Sequence, residues 1–503
     1  MLRRRVFVIF TLLVQIVFIV FVIAETNIYF QYTSWFLSII SIVVCIHVLN
    51  KHAKAAYRMT WIFLIMLFPI FGGILYIFFH MVSDPRKLRR LLQQTINNSS
   101  PAFYLGGDCL PDLEKVYPEF RPQAHYLQNY AGFPVYTNTR TLYFDSGETY
   151  FKRVLEELEK ARQYIFMEFF IIKEGFMLDS IVSILERKAA EGLDIRLMYD
   201  DLGCFMSLPD DFKERMEEKG IKCFVFNPFR PIMSSLQNNR DHRKLIVIDG
   251  KVAFTGGMNI GDEYINAIDR FGHWKDAAIM LEGEGAWSFA LIFLQMWNIY
   301  PSDENQYESF YPWMEGPCEI QCDGFVQPYA DSPIDNENVG EHVYIQIINK
   351  AKKYVYINTP YLILDDSLLS ALKLAAKSGV DVRIITPHRW DKKIVAFTSR
   401  SYYRQLISAG VKVYEYTSGF NHGKTFVCDD SIATAGTTNL DFRSLYLHFE
   451  CGVIMYRSTA VQAIKKDFLR TLPVSHEITL RECSRNAFQR IASDVLRIFA
   501  PLM

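Results

Sequence analysis

Two short segments of the chain carry the same set of chemically reactive side chains. The segments "DHRKLIVIDG" (241–250) and "NHGKTFVCDD" (421–430) both follow the order His-x-Lys-x-x-x-x-Asp. Each is typical of a buried strand, and because side chains alternate along a strand, the His and the Lys lie on one face. A lysine supplies positive charge at neutral pH, and a histidine can act as nucleophile, acid or base. Each segment therefore predicts an anion site with a titratable group.

The residues that follow each segment also recur. A glycine-containing turn comes next in both copies, as "TGGMN" (255–259) and "AGTTN" (435–439). A lone histidine would more often be a structural residue at a strand edge, but the joint recurrence at fixed offsets favours catalysis. The candidate catalytic residues are His242, Lys244, Asp249, His422, Lys424 and Asp429, and the candidate substrate-binding residues are Asn259 and Asn439.

Two copies of the motif are needed for displacement at a phosphorus atom. A single His-Lys pair could bind a phosphate group, but it could not both attack phosphorus and protonate the leaving oxygen from the opposite side. If the two copies face each other, one histidine attacks while the other serves as acid and then as base. The lysines and asparagines would stabilise the charge of the transition state.

Composition limits the cofactors and partners. The proposed chemistry requires no divalent ion, the sequence has no acidic cluster with metal spacing, and its nine cysteines have no zinc spacing. We therefore predict no metal and no cofactor. Lys and Arg number 54 against 55 Asp and Glu, and this balance argues against a nucleic-acid partner.

The body of the chain contains an internal repeat. From about residue 135, short apolar strands alternate with amphipathic helices, which is typical of an α/β fold. Three further pairs of segments match in the same order: 161–172 with 351–363, 189–203 with 375–390, and 218–228 with 408–417. We predict two homologous α/β domains, 135–310 and 318–483, packed about a pseudo-twofold axis.

Residues 1–83 are predicted to form a membrane anchor. Apolar runs cover 6–24, 35–49 and 61–79, and the first is close to the roughly 20 residues that cross a bilayer. A cleaved signal peptide is the alternative for that run, although its apolar region usually has only about 7–15 residues. The third run either crosses the membrane or dips in and returns. We expect N-terminal transmembrane helices and a multi-pass protein of the cell membrane, with the side that bears the domains left open.

Two segments flank the α/β body. Residues 84–134, with "NNSSP" at 97–101, are typical of a linker. Residues 484–503 place apolar side chains at helical spacing and predict a C-terminal amphipathic helix. Packing against the protein core is the default for this helix, and a position in the membrane interface is the alternative.

The two motifs resemble those of the phospholipase D superfamily, in which paired HxKxxxxD motifs each precede a glycine turn and an asparagine. Within it the chain resembles the bacterial cardiolipin synthases, through "NNRDHRKLIVIDGKVAFTGGMNIGDEY", "INTPYLILDD", "GVKVYEY" and "HGKTFVCDDSIATAGTTNLDFRS". The run 61–79 is similar to that family's N-terminal membrane segment. The resemblance implies two phospholipase D-like βα sandwich domains, each a mixed sheet flanked by helices, whose motifs meet at the interface.

The resemblance also implies an activity and residue roles. Two molecules of phosphatidylglycerol, a membrane lipid, would give cardiolipin and glycerol through a phosphatidyl-histidine intermediate. By the family pattern, His242 is the nucleophile and His422 is the acid and base. Asp276 and Glu450 match the family's histidine-orienting carboxylates, although a solvent-facing acid is the alternative for each.

Other functions remain open from the sequence. The same residues would support a hydrolase that releases phosphatidic acid, since only the acceptor differs. A nuclease is opposed by the near-zero net charge and the apolar runs, and a non-catalytic membrane scaffold is opposed by the completeness of both motifs. Asn421 and Gly423 depart from the family's usual residues, and Gly423 could loosen the strand that bears His422. The oligomeric state is left open.

Overall fold

Helices and strands alternate through most of the described chain. The computed structural model describes residues 30–51, 54–68, 72–73, 76–77, 85–229, 235–299, 307–313, 316, 318–320, 324–335, 337–484 and 486–502. Its helices are α1 (Phe30–Asn50), α2 (Ala55–Leu67), α3 (Pro85–Ser99), α4 (Leu110–Val116), α5 (Arg121–Asn129), α6 (Gly147–Lys160), α7 (Phe176–Ala190), α8 (Asp201–Cys204), α9 (Phe212–Glu218), α10 (Glu284–Trp297), α11 (Val339–Lys350), α12 (Asp366–Lys377), α13 (Lys393–Ser408), α14 (Phe442–Tyr446), α15 (Thr459–Thr471) and α16 (Ala487–Phe499). Its strands are β1 (Thr139–Phe144), β2 (Tyr164–Phe169), β3 (Asp194–Asp200), β4 (Lys222–Phe226), β5 (Arg240–Asp241), β6 (Lys244–Ile248), β7 (Val252–Gly256), β8 (His273–Lys275), β9 (Ala278–Gly283), β10 (Phe325–Asp331), β11 (Tyr354–Asn358), β12 (Asp381–Pro387), β13 (Lys412–Tyr416), β14 (Gly419–Asn421), β15 (Thr425–Cys428), β16 (Ile432–Gly436), β17 (His448–Tyr456) and β18 (Ser475–Glu477).

Two mixed sheets in the described residues share one strand order. The first runs β1-β9-β7-β6-β2-β3-β4, and the second runs β10-β17-β16-β15-β11-β12-β13, with β18 added at its edge. The pairs β2–β3, β3–β4, β11–β12 and β12–β13 are parallel, and the other neighbours in these two sheets are antiparallel. The strand-by-strand agreement confirms the prediction of an α/β fold with two homologous domains.

The two halves interlock. Strands β7 and β9 of the first sheet pack against β16 and β17 of the second. Helix α10 of the first half packs on β10 of the second, and helix α15 of the second half packs on β1 of the first. Helix α10 is apolar on nearly all sides, and its residues from Glu284 to Met296 are all buried. An all-round apolar helix is expected where both sides are covered, and α10 contacts strands of both sheets.

Two short strand pairs join the halves next to the motifs. Strand β5 of the first half pairs with β17 of the second, and β14 of the second half pairs with β8 of the first, both in parallel. The register sets Asp241 beside Phe449 and Asn421 beside Lys275. His242 directly follows Asp241, and His422 directly follows Asn421. Each motif histidine therefore lies next to a strand of the opposite half.

Residues 84–134 were expected to be a linker, but the described part, 85–134, is largely helical and packs on the body. Leu92, Phe103, Leu113 and Leu127 are buried in the same core as α10. Asn97, Asn98 and Ser99 are the last residues of helix α3, and Ser100 begins a short 3-10 helix, so this segment is not extended. The α-helix ends here because a helix usually ends before a proline and Pro101 follows.

The predicted transmembrane helices are not supported by the described residues. Helix α1 covers the run 35–49 and α2 covers the start of 61–79, while the run 6–24 lies outside the described residues. Where the chain is described, none of its helices combines the length with the apolar character that a bilayer span requires. Helix α2 ends at Leu67, just before a proline at 69, and its C-cap Phe68 has a non-helical ψ of 69°. The multi-pass arrangement is likewise unsupported.

The C-terminal amphipathic helix α16 packs against the protein on one side only. It contacts α2 and α13, and Thr60 Oγ1 donates a hydrogen bond to the carbonyl of Ile498 at 2.6 Å. The rings of Phe63 and Phe499 lie 5.7 Å apart. Phe488, at the other end of the predicted apolar stripe, remains 80% exposed.

Candidate active site

Both motif histidines line one cavity between the two halves of the molecule. The cavity has a volume of about 530 Å³, within the range of small-molecule binding sites, and Asn259 and Asn439 also line it. The copies of the motif therefore face each other, and His242, His422 and the two asparagines are brought together.

Each histidine is held by a carboxylate from the opposite half. His242 Nδ1 lies 2.8 Å from Glu450 Oε1, and His422 Nδ1 lies 2.7 Å from Asp276 Oδ2. A carboxylate accepts hydrogen bonds, so Nδ1–H donates and the Nε2 lone pair is left for chemistry. Glu450 and Asp276 are fully buried, which rules out the alternative of solvent-facing acids. The backbone N–H groups of His242 and His422 also donate to carbonyls of the opposite half.

The motif lysines lie beside the histidines and outside the cavity lining. Lys244 Nζ donates to the carbonyl of His242, and Lys424 Nζ donates to the carbonyl of His422. Burial lowers the pKa of Lys244 to about 8 and that of Lys424 to about 7. The charges of both lysines lower the pKa values of both histidines.

The motif aspartates do not belong to the site, which corrects their prediction as catalytic residues. Asp249 and Asp429 each accept hydrogen bonds from three consecutive backbone amides at the start of a neighbouring strand. The donors are Arg162, Gln163 and Tyr164 for the first and Lys352, Lys353 and Tyr354 for the second. Seven residues of extended chain put Asp249 roughly 20 Å from His242. Both aspartates therefore fasten the far end of the motif strand to β2 or β11.

The two asparagines have different partners. Asn259 Oδ1 accepts from the backbone N–H of Ile171 at 2.9 Å, and its Nδ2 donates to the Tyr264 hydroxyl at 3.0 Å. Asn439 Oδ1 is buried without a hydrogen-bond partner among the described residues. Asn439 thus has an unused acceptor oxygen, whereas both the oxygen and the nitrogen of the Asn259 side chain are hydrogen-bonded.

The orienting carboxylates differ in charge state. Burial alone would raise the pKa of Asp276, but the charge and hydrogen bond of His422 and the charge of Lys424 outweigh it, so this pKa is lowered. Trp274 Nε1 also donates to Asp276 at 3.1 Å. Burial raises the pKa of Glu450 well above its usual value, and the charge of Lys244 offsets this only in part. Ionised Asp276 therefore stabilises a positive charge on its histidine more strongly than Glu450 does.

The histidines themselves favour the neutral form. Burial, followed by the charge of Lys424, lowers the pKa of His422 to about 4. Burial, followed by the charge of Lys244, lowers the pKa of His242 well below its usual range. Both imidazoles can therefore offer an Nε2 lone pair at neutral pH, and an anionic group bound between them would favour protonation.

Sequence comparisons place these features in a known family. The family model described as "Cardiolipin synthase, PLD-like domain" matches residues 154–270 and 344–472, and the model described as "Phospholipase_D-nuclease N-terminal" matches residues 36–79. A protein of Halalkalibacterium halodurans named cardiolipin synthase is 33% identical over 477 residues, which cover 93% of this chain and 92% of that protein. The chain belongs to the bacterial cardiolipin synthase family of the phospholipase D superfamily.

Other relatives agree with this membership. An uncharacterized protein of Streptococcus mutans serotype c is 44% identical over 460 residues, covering 91% of this chain and 99% of that one. Among solved structures, the phosphatidylserine synthase of Haemophilus influenzae Rd KW20 matches with a TM-score of 0.56 at 14% identity, covering 76% of this chain and 97% of that one. That likeness shows a shared fold.

Two cavity residues of this family member were missed from the sequence. Arg443 and His448 both line the cavity close to Glu450. His448 stands two residues before Glu450, as Trp274 stands two residues before Asp276. The internal repeat could therefore have predicted that His448 lies at the site. It could not have predicted Arg443, which has no basic counterpart in the first copy.

Proposed function

We propose that this chain is a phosphatidyltransferase that makes cardiolipin from two molecules of phosphatidylglycerol. The observation that carries the proposal is the pair of imidazoles lining one cavity, each oriented by a carboxylate of the opposite half. Relatives named cardiolipin synthase, aligned over most of the chain, support the choice of substrate.

The first half of the reaction attaches the donor lipid to the protein. The Nε2 lone pair of His242 attacks the phosphorus of one phosphatidylglycerol, a P–N bond forms, and the bond from phosphorus to the glycerol headgroup oxygen breaks. Protonated His422 gives its proton to that oxygen, so glycerol leaves as a neutral alcohol. Lys244 and Lys424 lie beside the histidines and outside the cavity lining, and their positive charges stabilise the negative charge that builds up on the phosphoryl oxygens.

The second half transfers the phosphatidyl group to a second lipid. Neutral His422 now accepts the proton from a free headgroup hydroxyl of another phosphatidylglycerol. The oxygen attacks phosphorus, the P–N bond breaks, and cardiolipin is released with His242 restored. The proton that His422 gains here is the one that it donates in the next cycle, so the two steps balance.

The unequal carboxylates support this choice of roles. A nucleophile must be neutral, and the pKa of His242 is lowered well below its usual range by burial. An acid must hold a proton. Burial lowers the pKa of His422 to about 4, but the charge and the hydrogen bond of Asp276, whose own pKa is lowered, oppose that lowering. The ionised carboxylate and the bound phosphodiester both favour the imidazolium form of His422.

We also propose that the protein is bound to a membrane, as its lipid substrates require. Helix α1 exposes Trp35 (69%), Phe36 (62%) and Ile42 (60%), and α16 exposes Phe488 (80%) and Ile491 (64%). Apolar faces of this kind bind lipid surfaces. Flotation of the full chain with phosphatidylglycerol vesicles tests this, and protein that stays at the bottom of the gradient contradicts it.

Product analysis tests the transfer reaction. The purified full chain in detergent is given phosphatidylglycerol labelled separately in the acyl chains and in the headgroup. Acyl-labelled cardiolipin together with free labelled glycerol is expected. Acyl-labelled phosphatidic acid as the main product would instead identify a hydrolase, and unchanged lipid would contradict catalysis.

A further inference from the structure

Arg443 lines the active-site cavity and has no ion-pair partner among the described residues. Its side chain is half-buried on helix α14 and lines the cavity. It forms no ion pair and no side-chain hydrogen bond with any described residue. Burial lowers its pKa, and the nearest compensating charge is Asp441, which caps α14 by accepting from the backbone N–H of Ser444. A half-buried guanidinium with five donors unused is arranged to receive an external acceptor.

His448, which lines the same cavity as Arg443, also has unused hydrogen-bonding groups. Both ring nitrogens of the buried His448 lack hydrogen-bond partners among the described residues, and its Nδ1 is 4.0 Å from Glu450 Oε1. In the first half the equivalent Trp274 uses its indole N–H to bind Asp276. The largest charge effects on the pKa of His448 come from Arg443, Lys244, Arg240 and Lys392, which are positive.

The cavity lining has a surplus of positive charge. Its basic members are Arg240, Arg270, Lys392 and Arg443, and its acidic members are Asp391 and Asp441. Three of these cations already pair with carboxylates: Arg240 with Asp200, Arg270 with Glu263 and Lys392 with Asp391. Arg443 has no ion pair with a described residue, so its charge is available to an anionic ligand. The side-chain nitrogens and oxygens of His242, His448 and Glu450 come within 4.8 Å of one another and could gather a cation, but the four surrounding positive charges oppose this.

The proposed reaction brings two phosphodiesters into one cavity. One reacts between His242 and His422. The other belongs to the acceptor lipid and is joined to the first through a single glycerol in the product, so it must lie nearby. Two adjacent negative charges in a partly buried cleft repel each other unless cations lie beside both.

We propose that Arg443, aided by Lys392 and His448, forms a second phosphate subsite that holds the phosphodiester of the acceptor phosphatidylglycerol. Arg443 provides the direct contact. Lys392 is 63% exposed and pairs with Asp391 at 3.5 Å, so it adds only a weak, screened attraction. The proposal rests on the transfer reaction proposed above, and it predicts that an acceptor that carries a phosphodiester reacts better than a neutral alcohol.

Two acceptors test the subsite. The same phosphatidyl-enzyme can react with phosphatidylglycerol to give cardiolipin or with free glycerol to give back phosphatidylglycerol. Incorporation of labelled glycerol into phosphatidylglycerol therefore measures the reaction without a second phosphate. Arg443→Gln is expected to reduce cardiolipin formation at limiting lipid by about 10- to 100-fold and to leave glycerol exchange within about twofold. Lys392→Gln is expected to reduce cardiolipin formation alone by about two- to fivefold.

Two further variants complete the design. Arg140→Gln removes an exposed cation that pairs with Glu282 on the sheet surface, and it should change neither rate. His448→Phe removes both unpartnered nitrogens and keeps a planar ring. It should lower cardiolipin formation selectively without lowering the melting temperature, since no existing hydrogen bond is lost.

The outcomes separate the two proposals. Equal loss of both rates in Arg443→Gln would mean that Arg443 serves the reacting phosphate or the fold, and it would overturn the subsite. Unchanged rates would overturn it as well, and would be the result if the site served free phosphate in place of the acceptor lipid. Wild-type protein that exchanges glycerol but makes no cardiolipin would instead overturn the proposed function.

Discussion

The strands that carry the two histidines are held by different chemistry in the two halves. In the first half, the guanidinium of Arg243 lies 2.9 Å from Glu168 and 3.1 Å from Asp241, and all three side chains are buried. The equivalent positions in the second half are Asn358, Asn421 and Gly423. There Asn421 Nδ2 donates to Asn358 Oδ1 at 3.1 Å, so an amide pair replaces an ionic cluster.

Gly423 leaves no gap in this second arrangement. A Cβ added at Gly423 would meet Ala277, Asn421 and Asn358 at 3.4–3.6 Å, which is ordinary van der Waals contact. The strand that bears His422 is therefore packed, not loosened. The two halves fill the same position with either a buried ionic cluster or an uncharged amide pair, so the same fold accommodates both.

The orienting carboxylates follow a similar rule. Asp276 is short, and Gly257 lets it approach, since a Cβ at Gly257 would lie 2.0 Å from Asp276 Oδ1. Glu450 is longer, and the equivalent turn position is Thr437, whose hydroxyl donates to Glu450. One half therefore combines a short aspartate with a glycine turn, and the other combines a longer glutamate with a threonine turn. Both combinations place a carboxylate against the histidine.

Removing either histidine is expected to have the largest effect. His242→Ala and His422→Ala should each lower turnover by at least about two to three orders of magnitude, because attack and proton transfer are separate tasks. Mass spectrometry of the intact chain should find covalent lipid on His242 in the His422→Ala variant. Lipid attached to His422 in the His242→Ala variant would reverse the assigned roles.

The ionic cluster of the first half can be broken by Arg243→Ala. This change leaves Glu168 and Asp241 buried without a counter-charge, so the free energy of unfolding should fall by about 3–5 kcal/mol. Asn421→Ala in the second half should cost about 1–3 kcal/mol. Denaturant unfolding of the detergent-solubilised chain measures both.

A transplant supplies the control for that comparison. The triple variant Glu168→Asn, Asp241→Asn, Arg243→Gly copies the second-half residues into the first half and should recover most of the stability lost in Arg243→Ala. Equal losses in Arg243→Ala and Asn421→Ala would remove the distinction between the halves.

The turn residues give a smaller difference. Gly257→Ala forces a methyl group into Asp276 and against the carbonyl of His422, and it should lower turnover by about 100-fold through misplacement of the acid. Thr437→Ala removes one hydroxyl donor from Glu450 and should cost about tenfold. Initial rates of cardiolipin formation decide the order, and a larger loss in Thr437→Ala would contradict it.

The lowered pKa values of the two lysines lead us to expect that activity falls as the pH rises above neutrality. Lys424 and Lys244 have pKa values of about 7 and 8, so above this window they lose protons and the attraction for phosphate falls. The value of kcat/KM should therefore decrease as pH rises, by about tenfold per unit for each lost proton. Lys424→Gln should retain only the limb near pH 8. A profile that stays flat to pH 9 would show that the lysines keep their charge.

The sequence predicted the site well where interacting residues are close along the chain, and poorly where they are far apart along it. The offsets within each motif identified His242 and His422, and the order of repeated segments predicted two homologous α/β domains. The same local view misassigned Asp249, because the backbone amides that it binds lie 85–87 residues away in the chain. Helix boundaries near the N-terminus were also missed, since a mean apolar character does not show where a helix stops.

By itself, the sequence determined the reactive groups and their duplication, because residue type and strand alternation are local properties. The tertiary structure alone decided that each histidine takes its carboxylate from the opposite half, that Arg243 and Asn421 solve one packing problem in two ways, and that Arg443 and His448 enter the cavity. Hydrogen-bond partners and burial depend on which distant segments the fold brings together. A pattern read along the sequence does not say which segments become neighbours in space.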